Sequence, residues 1–226
     1  MRSVLRYRSV ICLLLAVSLL LAVPSALLLA QDKAGDTFDS KARQAILIDA
    51  RTGRVLYEKD ADTPIPPASM SKLMTMIMVF EALKAGKLKL DQTFTVNQDA
   101  WKRGGASSGG STMYAELNSD IALDDLIKGV IVQSANDACI VIADSMAGSE
   151  QAFAEQMTKR AHELGATNAT FRNATGLPDP DHKMSVRDLA ILARYIINSF
   201  PEYYKSGHLD RELARQRGGA EGDFSP

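Results

Sequence analysis

The chain has 226 residues, and 46% of them are hydrophobic, which is enough to bury a sizeable core in one domain with short appendages. Its 26 basic side chains nearly balance its 27 acidic ones, for a formal net charge of -1. Lys and Arg form no run with interleaved aromatic residues. The composition therefore argues against a nucleic-acid partner.

Residues 1–30 have the pattern of a targeting segment. Three arginines precede an apolar run over residues 10–30, which only Ser18, Pro24 and Ser25 interrupt. This pattern predicts a signal peptide and export to the periplasm or cell surface. An uncut membrane anchor is the alternative, because Leu28 stands where cleavage after Ala30 would favour a small residue and the run is long enough to span a bilayer.

Residues 31–43 are mostly polar and predict a linker. Two strand-like runs follow, 44–49 and 54–59, and the segment Ala50-Arg51-Thr52-Gly53 joins them, so the sequence predicts a β-hairpin. Three prolines between residues 64 and 67 then predict extended chain.

The pattern changes to helical from Ser69. Apolar residues recur at spacings of three and four and predict one buried face, formed by Met70, Leu73, Met74, Ile77, Phe80 and Leu83. The glycine- and serine-rich stretch 104–111 predicts a surface loop.

Four more helical stretches follow that loop. An amphipathic one covers Leu123 to Ile131, and residues 138–143 are apolar all round and predict a central helix. The next stretch, 149–164, ends before Gly165. Ser185 begins the last one, and Asp188 three residues later predicts a capping box.

Ser69 and Lys72 are the first candidate catalytic pair. On a helix, a spacing of three places both side chains on one face within reach of each other, which suits a serine nucleophile with a lysine base. A lysine is a base only when it is neutral, and burial lowers its pKa. The start of a helix also stabilises nearby negative charge, and the backbone N–H of Ser69 offers half of an oxyanion hole.

This spacing alone is weak evidence, because about one such pair is expected by chance in a chain of this size. The plain alternative is a capping serine and a solvated lysine. The surroundings favour the catalytic interpretation, since Lys72 is the only charge in an otherwise uncharged helix before Glu81.

Ser134 and Asn136 are the second candidate pair, at the joint between two predicted buried helices. The hydroxyl of Ser134 can relay a proton between Lys72 and a leaving group, and the carboxamide of Asn136 can bind a substrate amide. The alternative is that both residues only cap the helix that begins at Asp137.

These motifs carry a specific resemblance. The segment Pro67-Ala68-Ser69-Met70-Ser71-Lys72 and the later Ser134-Ala135-Asn136 resemble the first two signature motifs of the low-molecular-mass penicillin-binding proteins, the serine D,D-peptidases related to β-lactamases. The resemblance extends from about residue 44 to residue 205 and includes Asn173-Ala174-Thr175-Gly176-Leu177-Pro178.

The resemblance implies an α+β fold of the α/β sandwich type, with a helix-rich part and an N-terminal hairpin. It also implies a D-alanyl-D-alanine carboxypeptidase that removes the terminal D-alanine from peptidoglycan pentapeptides through an acyl-enzyme, and that β-lactam antibiotics inhibit covalently. The catalytic residues would be Ser69, Lys72 and Ser134, with Asn136 binding substrate. No cofactor is implied.

The sequence also departs from that family. Its third motif, Lys-Thr-Gly, is absent, and Lys205-Ser206-Gly207 follows a predicted helix end, where a rigid carboxylate-binding strand is not expected. Residues 206–226 have few apolar residues and predict an aberrant, disordered tail. The expectation is therefore an incomplete peptidase domain over 44–205, lacking the final sheet strands and impaired in activity.

Two other functions stay open. A class A β-lactamase shares both motifs, although no convincing glutamate between Leu164 and Leu177 is placed to activate a deacylating water. A non-catalytic fragment of the penicillin-binding fold is the other. A metal site is not predicted, because the three histidines lack ligand spacing, and Cys139 predicts an inert buried thiol.

Overall fold

The computed structural model describes residues 40–205. The predicted targeting segment 1–30, the linker up to residue 39 and the predicted tail 206–226 lie outside these residues. In chain order, the strands are β1 (Ala45–Ile48), β2 (Val55–Lys59), β3 (Thr93–Thr95) and β4 (Asp120–Ala122). The helices are α1 (Lys72–Lys84), α2 (Gln98–Arg103), α3 (Leu123–Gln133), α4 (Asn136–Ala147), α5 (Glu150–Glu163), α6 (Val186–Ser199) and α7 (Pro201–Lys205).

The predicted hairpin is confirmed. Strands β1 and β2 pair antiparallel, with an irregular register between Leu47 and Ile48. Its turn is attached to α6, because Arg194 Nε and Asn198 Nδ2 both donate to the carbonyl of Ala50, over 3.0 and 3.2 Å. A second antiparallel pair, β3 with β4, was not predicted, since three-residue strands leave too little alternation to detect.

Helix α4 lies at the centre of the described fold. Every residue from Asn136 to Ala143 is buried, as the uniformly apolar stretch predicted. Helices α2, α3 and α5 and strand β3 pack around it, and α1 contacts it beside the site described below. A helix with no solvent-facing side at its start can hold polar residues there only if each finds a partner.

The prediction of the buried face of α1 is wrong at its N-terminal end. Met70 is 50% exposed, because residues Ala68–Ser71 form a 3₁₀ turn and the α-helix begins only at Lys72. Beyond that turn the helix is buried on more sides than predicted, with Met76 and Val79 also in the core. The change of helical pitch shifts Met70 off the face that the spacing implied.

Three helices are linked by one polar cluster. Arg160 of α5 makes hydrogen bonds to both carboxylate oxygens of Glu81 on α1, and Tyr195 of α6 donates to the same carboxylate over 2.8 Å. These groups are partly exposed, so the cluster orients the helices more than it stabilises them.

The glycine-rich stretch 104–111 is a surface loop over most of its length, as predicted. Gly104 and Gly105 are the exception, because they are buried. After this loop, a buried carboxylate at the start of α4 anchors the chain: Asp137 accepts hydrogen bonds from Thr112 Oγ1, Met113 N and Ala115 N. The loop is thereby held against the first turn of α4.

Within residues 40–205, no helix combines the length and apolar character needed to cross a bilayer. Nor does any cluster of three His, Cys, Asp or Glu side chains suited to a metal ion occur in that part of the chain. Cys139 is buried and free, as predicted, and burial raises the pKa of its thiol to about 12, which disfavours the reactive thiolate.

The helix caps give a first testable prediction. Ser185 and Asp188 form the predicted capping box at the buried start of α6, whereas the exposed Ser149 caps α5 with a single bond from Ala152 N. We expect Ser185→Ala to lower the free energy of unfolding by about 1 to 2 kcal/mol and Ser149→Ala by about 0.5 to 1 kcal/mol. Urea unfolding of both variants measures the difference, and equal losses would contradict the reciprocal box.

Candidate active site

The structure brings Ser69 and Lys72 together. The Nζ atom of Lys72 lies 3.1 Å from the Oγ atom of Ser69. Ser69 belongs to the 3₁₀ turn and Lys72 is the first residue of α1, so the spacing of three in the sequence becomes one turn in space. The Lys72 side chain is buried, and that burial lowers the pKa of its amine, in the direction a general base requires.

Asn136 reaches the same amine from α4. Its Oδ1 atom lies 2.9 Å from Lys72 Nζ, although 64 residues separate the two in sequence. The N-cap residue of α4 is Ala135, and no side chain caps that helix. The alternative that Asn136 only caps a helix is therefore wrong.

A third partner of Lys72 was not predicted. The backbone carbonyl of Thr175 accepts a hydrogen bond from Nζ over 2.6 Å. Thr75, one turn along α1 from Lys72, donates to the preceding carbonyl, that of Ala174, over 2.7 Å. No side-chain pattern marks a backbone carbonyl, so the only signal for this contribution was that the family resemblance includes the segment 173–178.

These three contacts orient the amine. A neutral amine has two N–H groups and one lone pair, and the oxygens of Asn136 and Thr175 can only accept hydrogen bonds. When both N–H groups donate to them, the lone pair is left for the hydroxyl hydrogen of Ser69. The arrangement therefore suits removal of a proton from Ser69 by Lys72.

The 173–177 segment is itself held in shape by Asn173. Its Oδ1 atom accepts hydrogen bonds from Thr175 N, Thr175 Oγ1 and Gly176 N, and its Nδ2 atom donates to the carbonyl of Leu177. This turn, built around an asparagine side chain, presents the Thr175 carbonyl at a defined angle.

Gly176 allows the segment to approach the turn that contains Ser69. It has a φ of +83°, and a Cβ atom there would lie 1.9 Å from the carbonyl oxygen of Ala68. Ala68, directly before Ser69, also has a left-handed backbone, with a φ of +50°. Close contact between the two segments therefore requires glycine at position 176.

Ser134 lies in the same cleft. It ends α3 in a left-handed conformation with a φ of 55°, and the next backbone N–H, that of Ala135, bonds to the carbonyl of Gly129. The Oγ atom of Ser134 is buried and has no hydrogen-bond partner among residues 40–205. The structure thus places Ser134 beside the pair without joining it to either member.

The cleft has a volume of about 590 Å³ and is mostly apolar. The three predicted catalytic residues line it, together with two tyrosines, Tyr203 and Tyr204. The remaining lining is apolar and includes Met70, Leu73, Met76, Phe80, Val130, Ile131, Ile196 and Ile197. Perturbed titratable groups in an apolar cleft are typical of catalytic sites.

Comparisons with solved structures identify the fold. Penicillin-binding protein 5 from Haemophilus influenzae superposes with a TM-score of 0.71 at 36% identity, over 76% of this chain and 49% of that one. Penicillin-binding protein D2 from Listeria monocytogenes, in its cefotaxime-bound form, has a TM-score of 0.64 at 28% identity, over 74% of this chain and 66% of that one. The described residues therefore have the α+β fold of the penicillin-binding proteins.

Sequence comparisons show the family. A model of the peptidase S11 family, described as D-alanyl-D-alanine carboxypeptidase, matches residues 30–216. D-alanyl-D-alanine carboxypeptidase DacC of Escherichia coli (strain K12) is 43% identical over 173 residues, which are 76% of this chain and 43% of that protein. This chain belongs to the peptidase S11 family, as the two motifs predicted, and it spans less than half the length of such curated relatives.

The close approach of Gly176 generates the second prediction. Gly86 provides the matched control, because its φ is +67° and nothing lies within 4 Å of an added Cβ. Gly86→Ala should lower the free energy of unfolding by about 1 to 2 kcal/mol, the cost of a left-handed residue with a Cβ. Gly176→Ala should lower it by about 1 to 3 kcal/mol more, because the contact with Ala68 adds overpacking. Equal losses in denaturant unfolding would contradict this contact.

Proposed function

We propose that this chain is a serine-type D-alanyl-D-alanine carboxypeptidase that removes the terminal D-alanine from peptidoglycan stem peptides. The observation that carries the proposal is the amine of Lys72, which lies 3.1 Å from Ser69 Oγ while acceptor oxygens bind it on its other sides. Membership of the peptidase S11 family supports the same activity.

The first half of the reaction forms an ester. Ser69 Oγ attacks the carbonyl carbon of the penultimate D-alanine, and Lys72 takes the hydroxyl proton. Negative charge on the carbonyl oxygen is stabilised by the start of α1 and by the backbone N–H of Ser69. The bond to the terminal D-alanine then breaks, and its nitrogen receives a proton that Ser134 relays from Lys72.

The second half releases the shortened peptide. A water molecule loses a proton to Lys72 and attacks the ester, and the departing Ser69 oxygen is protonated again. The Oδ1 atom of Asn136 accepts a hydrogen bond from Lys72. The Nδ2 group of Asn136 is therefore left to donate to a carbonyl of the substrate. No metal or organic cofactor enters these steps.

β-Lactam antibiotics are the proposed covalent inhibitors, because they present a strained amide to the same nucleophile. The Listeria relative in its cefotaxime-bound form supports this part of the proposal. Impaired activity, which the missing Lys-Thr-Gly triplet suggested, stays a prediction.

The proposed place of action is outside the cytoplasmic membrane, in the periplasm or at the cell surface. The apolar segment 1–30, with its leading arginines, supports export and association with the membrane through that segment. The peptidoglycan substrate lies in the same compartment.

Covalent labelling gives the third prediction. The purified chain, incubated with a fluorescent penicillin, should form an adduct that survives denaturing gel electrophoresis. Ser69→Ala should lose it because the nucleophile is gone, and Lys72→Arg should lose it because a guanidinium does not give up its proton. Leu56→Ala, on β2, 50% exposed and outside the cleft, is the matched control and should keep the label.

Other outcomes of that experiment identify the alternatives. An adduct that the chain releases within seconds, with hydrolysed penicillin accumulating, would indicate a β-lactamase. Absence of any adduct on a folded wild-type chain would overturn the proposal in favour of a non-catalytic fragment of this fold.

The fourth prediction concerns pH. Only neutral Lys72 can accept the proton of Ser69, so the rate of label formation should rise with pH and level off above the pKa of Lys72. Because burial lowers that pKa, the midpoint should lie below the ordinary value of 10.5. Labelling rates measured at a series of pH values test this, and a midpoint at or above 10.5 would rule out the buried amine as the base.

A further inference from the structure

Glu150 occupies an unusual position for a charged residue. It is the first residue of α5, and its side chain is only 8% exposed. Its Oε1 atom accepts a hydrogen bond from the backbone N–H of Ala174 over 2.9 Å. A buried carboxylate that bonds to a backbone N–H makes a strong, charge-assisted contact.

That N–H belongs to the segment that contacts the catalytic lysine. The Ala174 carbonyl accepts a hydrogen bond from Thr75 Oγ1, and the next carbonyl, that of Thr175, bonds to Lys72 Nζ over 2.6 Å. Glu150 therefore holds one side of residue 174, while α1 holds the two carbonyls that follow. Removing the Glu150 contact would leave the Ala174 N–H buried without a partner and free the segment to shift.

The second oxygen of Glu150 has a different partner. Its Oε2 atom accepts a hydrogen bond from Arg103 Nη2 over 2.8 Å. Arg103 is 45% exposed and also pairs with Asp99, so this ion pair contributes little to stability. The buried contact between Glu150 and Ala174 N is therefore the one that connects Glu150 to Lys72, through the backbone of residues 174 and 175.

We propose that Glu150 is a positioning residue for Lys72, because its carboxylate fixes the backbone at the N–H of Ala174 and thereby helps to hold the following Thr175 carbonyl, which orients the amine. The inference rests on the proposed function, in which Lys72 is the base. It assigns to Glu150 no contact with substrate, and its effect passes entirely through the backbone of the 174–175 segment.

Two substitutions separate the length of the side chain from its charge. Glu150→Gln keeps the length and an oxygen that can accept from Ala174 N, but it removes the charge. Glu150→Asp keeps the charge, which also suits the first turn of α5, but it is one methylene too short to span the same distance. Arg103→Gln is the matched control, since it removes the ion pairs of Arg103 with Glu150 and Asp99 but leaves the bond between Glu150 and Ala174 N.

The first readout is the rate of penicillin labelling at saturating penicillin. Glu150→Asp should lower this maximal rate by about tenfold to a hundredfold, because a small displacement of the base is costly. The penicillin concentration that gives half the maximal rate should stay nearly unchanged. Glu150→Gln and Arg103→Gln should both label at close to the wild-type rate.

The second readout is the pKa of Lys72, followed by NMR with ¹³C at the lysine ε-carbon and assigned with Lys72→Arg. Cys139 on α4 is the titratable group that affects the pKa of Lys72, and Glu150 on α5 and Asp137 on α4 act in turn on Cys139. Burial is the main cause of the lowered pKa, so withdrawal of the Thr175 carbonyl admits water and should raise the pKa in Glu150→Asp. If Glu150 acted only through its charge, the pKa of Lys72 would instead fall in Glu150→Gln and stay unchanged in Glu150→Asp.

These experiments test the positioning role of Glu150 separately from the proposed carboxypeptidase activity. An unlabelled wild type would overturn the proposed carboxypeptidase, while the NMR titration still tests the positioning role. Wild-type labelling and an unchanged Lys72 pKa in a folded Glu150→Asp would overturn the positioning role alone. If Glu150→Asp does not fold, Thr75→Val removes the donor to the Ala174 carbonyl and tests the same segment. It should slow labelling and raise the pKa of Lys72, and an unchanged rate and pKa would overturn the inference.

Discussion

Burial of a single amine organises this site. Placing Lys72 among apolar side chains lowers its pKa, yet a buried amine is tolerated only when its hydrogen bonds are made. The carboxamide oxygen of Asn136 and the carbonyl of Thr175 meet that requirement. Because both are acceptors, they also direct the remaining lone pair towards Ser69, so the same contacts that make burial acceptable set the direction from which Lys72 can accept a proton.

The surrounding fold places those two acceptors. Asn136 begins the central helix α4, which can expose a polar group inwards because the rest of its first half is packed on all sides. Thr175 belongs to an irregular segment, and irregular backbone near a core keeps its shape only through specific bonds. Asn173 supplies such bonds from within the segment, and Glu150 supplies one from α5. Two buried carboxylates, Glu150 and Asp137, thus hold the 174–175 segment and the chain that follows the glycine-rich loop.

Family membership and local geometry agree where they overlap. The motifs around Ser69 and Ser134 predicted the family that the comparisons show, and the structure brings Ser69 and Lys72 of the first motif together with Asn136. The hydroxyl of Ser134, unlike Lys72 and Asn136, makes no hydrogen bond in the site. It lines the cleft but bonds to no group of residues 40–205. A free hydroxyl in that position suits a proton relay that engages when substrate arrives, because catalytic hydrogen bonds often tighten only in the complex.

The sequence alone was sufficient for several features that depend on near neighbours in the chain, although not for the 3₁₀ turn at Ala68–Ser71. The first hairpin, the capping box at Ser185, the uniformly buried stretch of α4 and the spacing of Ser69 and Lys72 all follow from periodicity or local hydrogen bonding. The third partner of Lys72 did not follow, because it is a backbone carbonyl 103 residues away in sequence. Backbone groups are the same in every residue, so their identity as partners arises only when packing brings distant segments together, and the roles of Thr175 and Glu150 became visible only then.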